Sequence, residues 1–214
     1  MTSRSGSLDV IDEEDELTAH GLYRAEHRAL RELYSVSRRL SGHWERLAER
    51  IGGPPATMPR RGAEAARELL GELAGRTSEH GLHGTPAAEG AGRGLGRTRN
   101  AGDLLLERNQ AMRIAVLEIQ HVTTLLGYLG QLAATRGDEE LAGFHRAWEL
   151  RLLEIEGEAR QAAIELGCEP AAAIVPADQG PLGRIGHRIG VTLGSAGEAL
   201  DGSPVGSVAR RLRG

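Results

Sequence analysis

Residues 116–129 read VLEIQHVTTLLGYL, a greasy run interrupted by Glu118 and His121. The two lie three positions apart, so on a helix they share a face. Leu104, Ala111, Glu118, Leu125 and Leu132 fall in one heptad row; Ile114, His121 and Tyr128 fall in the row beside it. Heptad rows of apolar residues mark the seam of a helical bundle. The spacing therefore predicts that both polar side chains face the core. An unpaired carboxylate there would protonate or find a partner. That makes this helix the key to both fold and function.

The rest of the chain repeats the pattern. A helix is predicted over 17–51, with Tyr23, Leu30, Trp44 and Ile51 in one row and Glu26, Leu33, Leu40 and Leu47 in the other. Glu26 is thus a second carboxylate in a row of leucines. Gly52–Gly53–Pro54–Pro55 breaks the helix. A second helix is predicted over 61–80, burying Ala66, Leu69, Leu70 and Leu73, with His80 extending the stripe. Residues 84–103 are rich in glycine and poor in large side chains, and read as a long flexible crossover. The third helix is predicted over 103–135 with Asp103 as N-cap, and the fourth over 138–167 after a turn at Arg136–Gly137–Asp138. Leu141, Trp148, Ile155 and Ala162 form one of its rows; His145, Leu152, Ala159 and Leu166 form the other.

Composition agrees. Ala, Leu, Arg and Glu favour helix, and no long run alternates in the manner of a strand. Three Tyr, two Trp and one Phe in 214 residues leave the core to aliphatic side chains. The net charge of −4 gives no reason to expect nucleic acid as a partner. One cysteine, Cys168, excludes an internal disulfide and fits a reducing compartment. Residues 1–16 read as a disordered acidic leader rather than a signal peptide, and no apolar run is long enough for a membrane. A cytoplasmic protein is expected. Residues 168–200 read as a linker and an amphipathic helix carrying Leu182, Ile185, Ile189, Leu193, Ala196 and Leu200, with Gly186, Gly190 and Gly194 at four-residue steps. Contact of that helix with a partner or membrane surface is the lesser expectation.

Two hairpins joined by one long crossover, with Glu-x-x-His at Glu118 and His121, resemble the ferritin-like superfamily of carboxylate-bridged metal proteins. The stretch LYRAEHRALREL of the first helix is similar to the opening helix of bacterial ferritin-like stress proteins. The resemblance covers about 17–167 and implies an all-α, ferritin-like four-helix bundle with a short C-terminal helix and a flexible tail. It further implies an iron or manganese site drawn from Glu26, Glu118, His121 and, on the fourth helix, Glu158. Ferroxidase-type or peroxide-linked metal oxidation would be its chemistry. The second Glu-x-x-His of the family pattern is missing; the second helix offers only Glu79, His80 and His83 near its end. His27, His121 and His145 with Glu149 also resemble part of a hemerythrin pattern. The competing expectation from the residues alone is structural. Glu118 would pair with an inward-reaching Arg, and His121 would bond Glu118, Glu26 or Tyr128. His20, His43 and His187 read as surface residues.

Residues 201–214 form a basic tail, DGSPVGSVARRLRG. Ser203, Val205, Gly206, Ser207, Val208, Arg210 and Arg211 follow the order of the peptides that load cargo into bacterial encapsulin shells, with Pro204 where an aliphatic residue is usual. The resemblance implies an encapsulin shell as partner and a place inside a protein nanocompartment. Self-association into a homo-oligomer is expected as well. A non-catalytic helical scaffold or stress protein without metal is the alternative function.

Overall fold

The computed structural model describes residues 17–52, 56–82 and 106–178, with separate positions between 180 and 192. Four long helices account for most of them: α1 (Arg24–Ile51), α2 (Thr57–Thr77), α3 (Arg108–Arg136) and α4 (Glu139–Glu165). Short 3-10 turns at Ser78–His80 and Leu166–Cys168 extend α2 and α4, and a single helical turn, α5 (Pro170–Ala173), follows. The described residues contain no strand, only isolated bridges between Leu17 and Tyr23 and between Glu107 and Pro176. The all-α expectation holds. The leader 1–16, the crossover 84–103, Asp103 and the tail 201–214 lie outside the described residues, as does most of the predicted helix 182–200.

Three helix starts differ from the spacing-based prediction: α2 begins at Thr57 rather than 61, and the starts of α1 and α3 are set by specific hydrogen bonds. α1 begins at Arg24 rather than 17, because residues 17–23 close a tight turn. The Thr18 N–H donates to Leu22 O at 2.7 Å, and Gly21 takes φ +74°, a left-handed conformation that ends helical continuity. α3 begins at Arg108 rather than 103. The Glu107 N–H donates to Gln110 Oε1 at 3.1 Å in the manner of a capping box. The returning C-terminal segment satisfies the next donor: the Arg108 N–H reaches Val175 O at 2.8 Å. The turn into α4 is where it was expected. Gly137 at φ +84° and the Asp138 N–H, 2.9 Å from Ala133 O, close α3. The Asp138 carboxylate then caps α4 by accepting from the Leu141 N–H at 2.9 Å.

Cross-helix contacts define the bundle. Tyr34 meets Thr77 while Trp44 meets Gly62, so α1 and α2 run antiparallel. Glu68 meets Arg151 and Arg61 meets Glu158, so α2 and α4 do too. Glu26 meets Arg136 and His43 meets Glu118, so α1 and α3 do as well. α3 and α4 are a hairpin. Every neighbouring pair is therefore antiparallel, and α2 and α3 point the same way. The chain leaves α2 at the Glu26–Arg136 end and re-enters α3 at the other. α3 is about 43 Å long at 1.5 Å per residue. Residues 83–105 can span roughly 75 Å when extended, so one connection suffices.

The core is aliphatic, running from Leu22 through Leu30, Leu40, Leu69, Leu126 and Leu152, with Trp44 fully buried. The Cε3–Cζ3 edge of Trp44 abuts α2 at Gly62, where a Cβ would overlap the ring. Gly71, on the exposed face of the same helix, has nothing within 4 Å of that position. Gly62→Ala is expected to lose about 1–3 kcal/mol through overpacking. Gly71→Ala is expected to gain roughly 0.5–1 kcal/mol from helix propensity. Urea unfolding of the two variants checks the pair; equal effects would contradict this packing.

Candidate functional site

Burial makes the polar residues of the core the candidates. Glu26, near the start of α1, has no exposed surface. Arg136, at the end of α3, meets it with two parallel bonds, Nε to Oε2 and Nη2 to Oε1, each 3.0 Å. Nη2 also donates to Asp138 Oδ2 at 3.1 Å. The hydrogen bond and charge of Glu26, helped by Asp138, hold the guanidinium more firmly protonated than usual against the opposing effect of burial. This bidentate geometry is the strongest form of carboxylate pairing. Glu26 is therefore neutralised by an inward-reaching arginine, the arrangement expected for Glu118.

Glu118 is buried, as its heptad row predicted, and takes a different partner. Its Oε2 lies 2.5 Å from Nδ1 of His43 on α1, both side chains 7% exposed. His43 is thus a core residue and not the surface residue expected. Its signal was present: Ala29, Leu33, Val36, Leu40, His43 and Leu47 advance in alternating steps of four and three, all on the buried side.

His121 departs from expectation in the opposite direction. Its side chain is 47% exposed and Nε2 lies 3.0 Å from Glu32 Oε1 on the surface. The row that placed it inside drifts outward: Ile114 is half-buried, and Tyr128 is 48% exposed. A straight helix turns by about 20° per heptad against a sevenfold row, so a row at the edge of the core leaves it. Glu158 is exposed and pairs with Arg61 on α2 at 2.6 Å. Glu156, which faces α3, accepts from Thr123 Oγ1 at 3.0 Å. Glu26, Glu118, His121 and Glu158 therefore sit in four separate pairs. Among the described residues no three His, Cys, Asp or Glu side chains come together as a metal-ligating group. The donor set does not fit a di-metal centre. The residues of the hemerythrin pattern are no closer to one: His27 is half-buried at the start of α1, and the Glu149 carboxylate lies over Gly127. The tail residues from Ser203 to Arg211 lie outside the described residues.

His145 is the third polar group in the core and the most exceptional. It is fully buried, and neither Nδ1 nor Nε2 has a hydrogen-bond partner among the described residues. Its nearest ring is Phe144, edge-on at 5.4 Å. Desolvation lowers its pKa to about 4, against a smaller opposing pull from Asp138. The imidazole is neutral at pH 7. On α1, Ser37 Oγ and Trp44 Nε1 are likewise buried without a hydrogen-bond partner among the described residues.

No family model, no curated protein and no solved structure matches the chain.

Two predictions follow the polar groups. Arg136→Met strands a buried carboxylate and is expected to cost about 3–5 kcal/mol. Adding Glu26→Leu to it is expected to recover most of that loss, and a double-mutant cycle by urea unfolding measures the coupling. Additive effects would contradict a bidentate pair.

For His145, the unfolded chain takes up a proton near pH 6.5 and the folded chain only near pH 4. The fold is therefore fully stable above pH 6.5 and loses about 3 kcal/mol from this group as pH falls to 4. His145→Leu removes that acid sensitivity and is expected to raise stability at pH 7 by about 1–3 kcal/mol, because no buried donor is left unpaired. Parallel unfolding curves at pH 7 and pH 4 test it; an unchanged pH dependence in the variant would contradict it.

Proposed function

We propose that this protein is a non-catalytic helical-bundle scaffold, related in topology to ferritin-like proteins, that acts through partners rather than through a metal centre. The observation that carries this reading is that both core carboxylates already have a cationic or hydrogen-bonding partner of their own. Glu26 is held by Arg136 and Glu118 by His43. Ferritin-like sites need such carboxylates free for metal, supplied from all four helices. The topology supports the relationship. Every neighbouring pair of helices is antiparallel and α2 and α3 are parallel, the plan of a bundle with one long crossover.

In this reading the chain is recruited through its C-terminal tail. Val205 and Val208 supply small apolar anchors, Gly206 and Ser207 the spacing between them, and Arg210 and Arg211 the charge. A peptide of that kind orders on binding to a receptor groove. An encapsulin shell is the partner its residue order suits, which would put the bundle inside a protein nanocompartment. No described helix is long and apolar enough to cross a membrane.

The second reading, iron or manganese handling with ferroxidase-type or peroxide-linked chemistry, draws on one observation. Glu118 and His43 place an oxygen and a nitrogen donor side by side in the core, on neighbouring helices. Such N/O donors suit iron and manganese.

Elemental analysis separates the two readings. Protein produced with iron and manganese supplied, then treated with chelator, is expected to retain no stoichiometric metal. Stoichiometric metal that disappears in Glu118→Ala would overturn the scaffold reading. Deletion of residues 201–214 is expected to abolish co-assembly with an encapsulin shell expressed alongside it; undiminished co-assembly would remove the tail from the account.

A further inference from the structure

The four helices differ sharply in what they show to solvent. Every exposed position of α1, from Arg24 to Glu49, is Arg or Glu. α3 is the opposite. Between Arg113 and Arg136 its only charged carboxylate is the buried Glu118, and its exposed positions are Leu117, Gln120, His121, Thr124, Tyr128, Gln131 and Thr135. Leu117 is 64% exposed and Tyr128 48%. The adjoining outer edge of α4 continues the patch with Leu150, 60% exposed, and Leu153, 43% exposed, flanked by the exposed Arg146 and Arg160. Arg113 stands exposed at its end along α3.

Protein surfaces normally carry interspersed charge, as α1 does. Loss of charge from a central patch, with Leu and Tyr left exposed and arginines at the margin, is the anatomy of a protein–protein interface. We propose that the outer surface of α3, with the edge of α4, is where two copies of this chain associate about a two-fold axis.

Composition selects a second copy over other occupants. A two-fold interface sets each patch against itself. Charged groups near the axis would face their own copies and repel. Gln120, Thr124, Gln131 and Thr135 each donate and accept, so they can pair with their counterparts. A partner of opposite charge would find only the marginal Arg113, Arg146 and Arg160 to recognise. The size is sufficient. From Leu117 to Thr135 the patch runs roughly 30 Å, and α3 with the edge of α4 makes it about 20 Å wide. That footprint is about 600 Å2 per copy, above the ~500 Å2 per copy that a specific interface needs. This inference is independent of whether the core binds metal.

Sedimentation equilibrium on the full chain across the micromolar range is the test. The expected species has twice the 22.9 kDa chain mass. Leu117→Arg and Leu153→Arg are each expected to raise the dimer dissociation constant about tenfold or more, since each change occurs twice in the interface. Tyr128→Arg is an independent third variant. All three positions are exposed, so circular dichroism is expected to show unchanged helicity. Arg39→Ala, on the charged face of α1, is expected to leave association as it is. A monomer at every concentration overturns the proposal. So does a dimer indifferent to all three patch variants. A monomer that instead sediments with phosphatidylcholine vesicles assigns the patch to a lipid surface and overturns it equally.

Discussion

The bundle depends on a buried carboxylate held by a part-buried guanidinium. Glu26 opens α1, Arg136 closes α3, and Asp138 begins α4; one guanidinium bonds both carboxylates. It joins three helices at one end, where α3 turns into α4. The low local dielectric that would make Glu26 costly alone makes the pair strong and directional. Because its geometry is bidentate, it specifies the register of α1 against α3 as well as their contact. At the other half of the same helix pair, Glu118 and His43 provide a second fixed point. Two polar contacts along one greasy seam allow only one sliding position. Buried polar groups serve that purpose best in helical bundles.

This view changes how an acidic residue in an apolar row is understood here. The row at Glu118 identified burial correctly, and the row at Glu26 did the same. Neither row carried information about the partner. Arg136 is the last residue of α3 and continues the sevenfold row of Ala115, Val122 and Leu129, all fully buried; its long stem carries the charge inward from the helix end. His43 sat in a regular four–three pattern with Leu40 and Leu47, and its burial was legible there. His121 shows the limit of sevenfold counting. One residue at the edge of the core is enough for helical drift to carry it into solvent. For Glu158, a place on the fourth helix is only half of the problem. The rotation of α4 about its own axis turned it toward Arg61 on α2.

The helices themselves were easier to anticipate, because several signals agreed. The Gly137–Asp138 turn combined a left-handed glycine with an N-cap carboxylate, and it formed where both indicated. Helix starts were harder. Residues 17–23 are apolar enough to continue α1, and only Gly21 with its backbone bonds stops them. The start of α3 depends on a partner from far along the chain, the carbonyl of Val175, and no local pattern announces a long-range bond. Charge distribution is the least periodic of these signals. The contrast between α1 and α3 becomes visible only once burial separates core positions from exposed ones.

The central claim is that the core carboxylates hold the bundle together and are not metal ligands. A crystal structure of the full chain grown with Fe(II) or Mn(II), with anomalous data at the metal edge, tests it most directly. The account predicts Glu26 on Arg136 and Glu118 on His43, with no anomalous peak in the core. A peak bonded to Glu118, with His43 or Glu26 turned toward it, would contradict the account and make α3 a ligand helix.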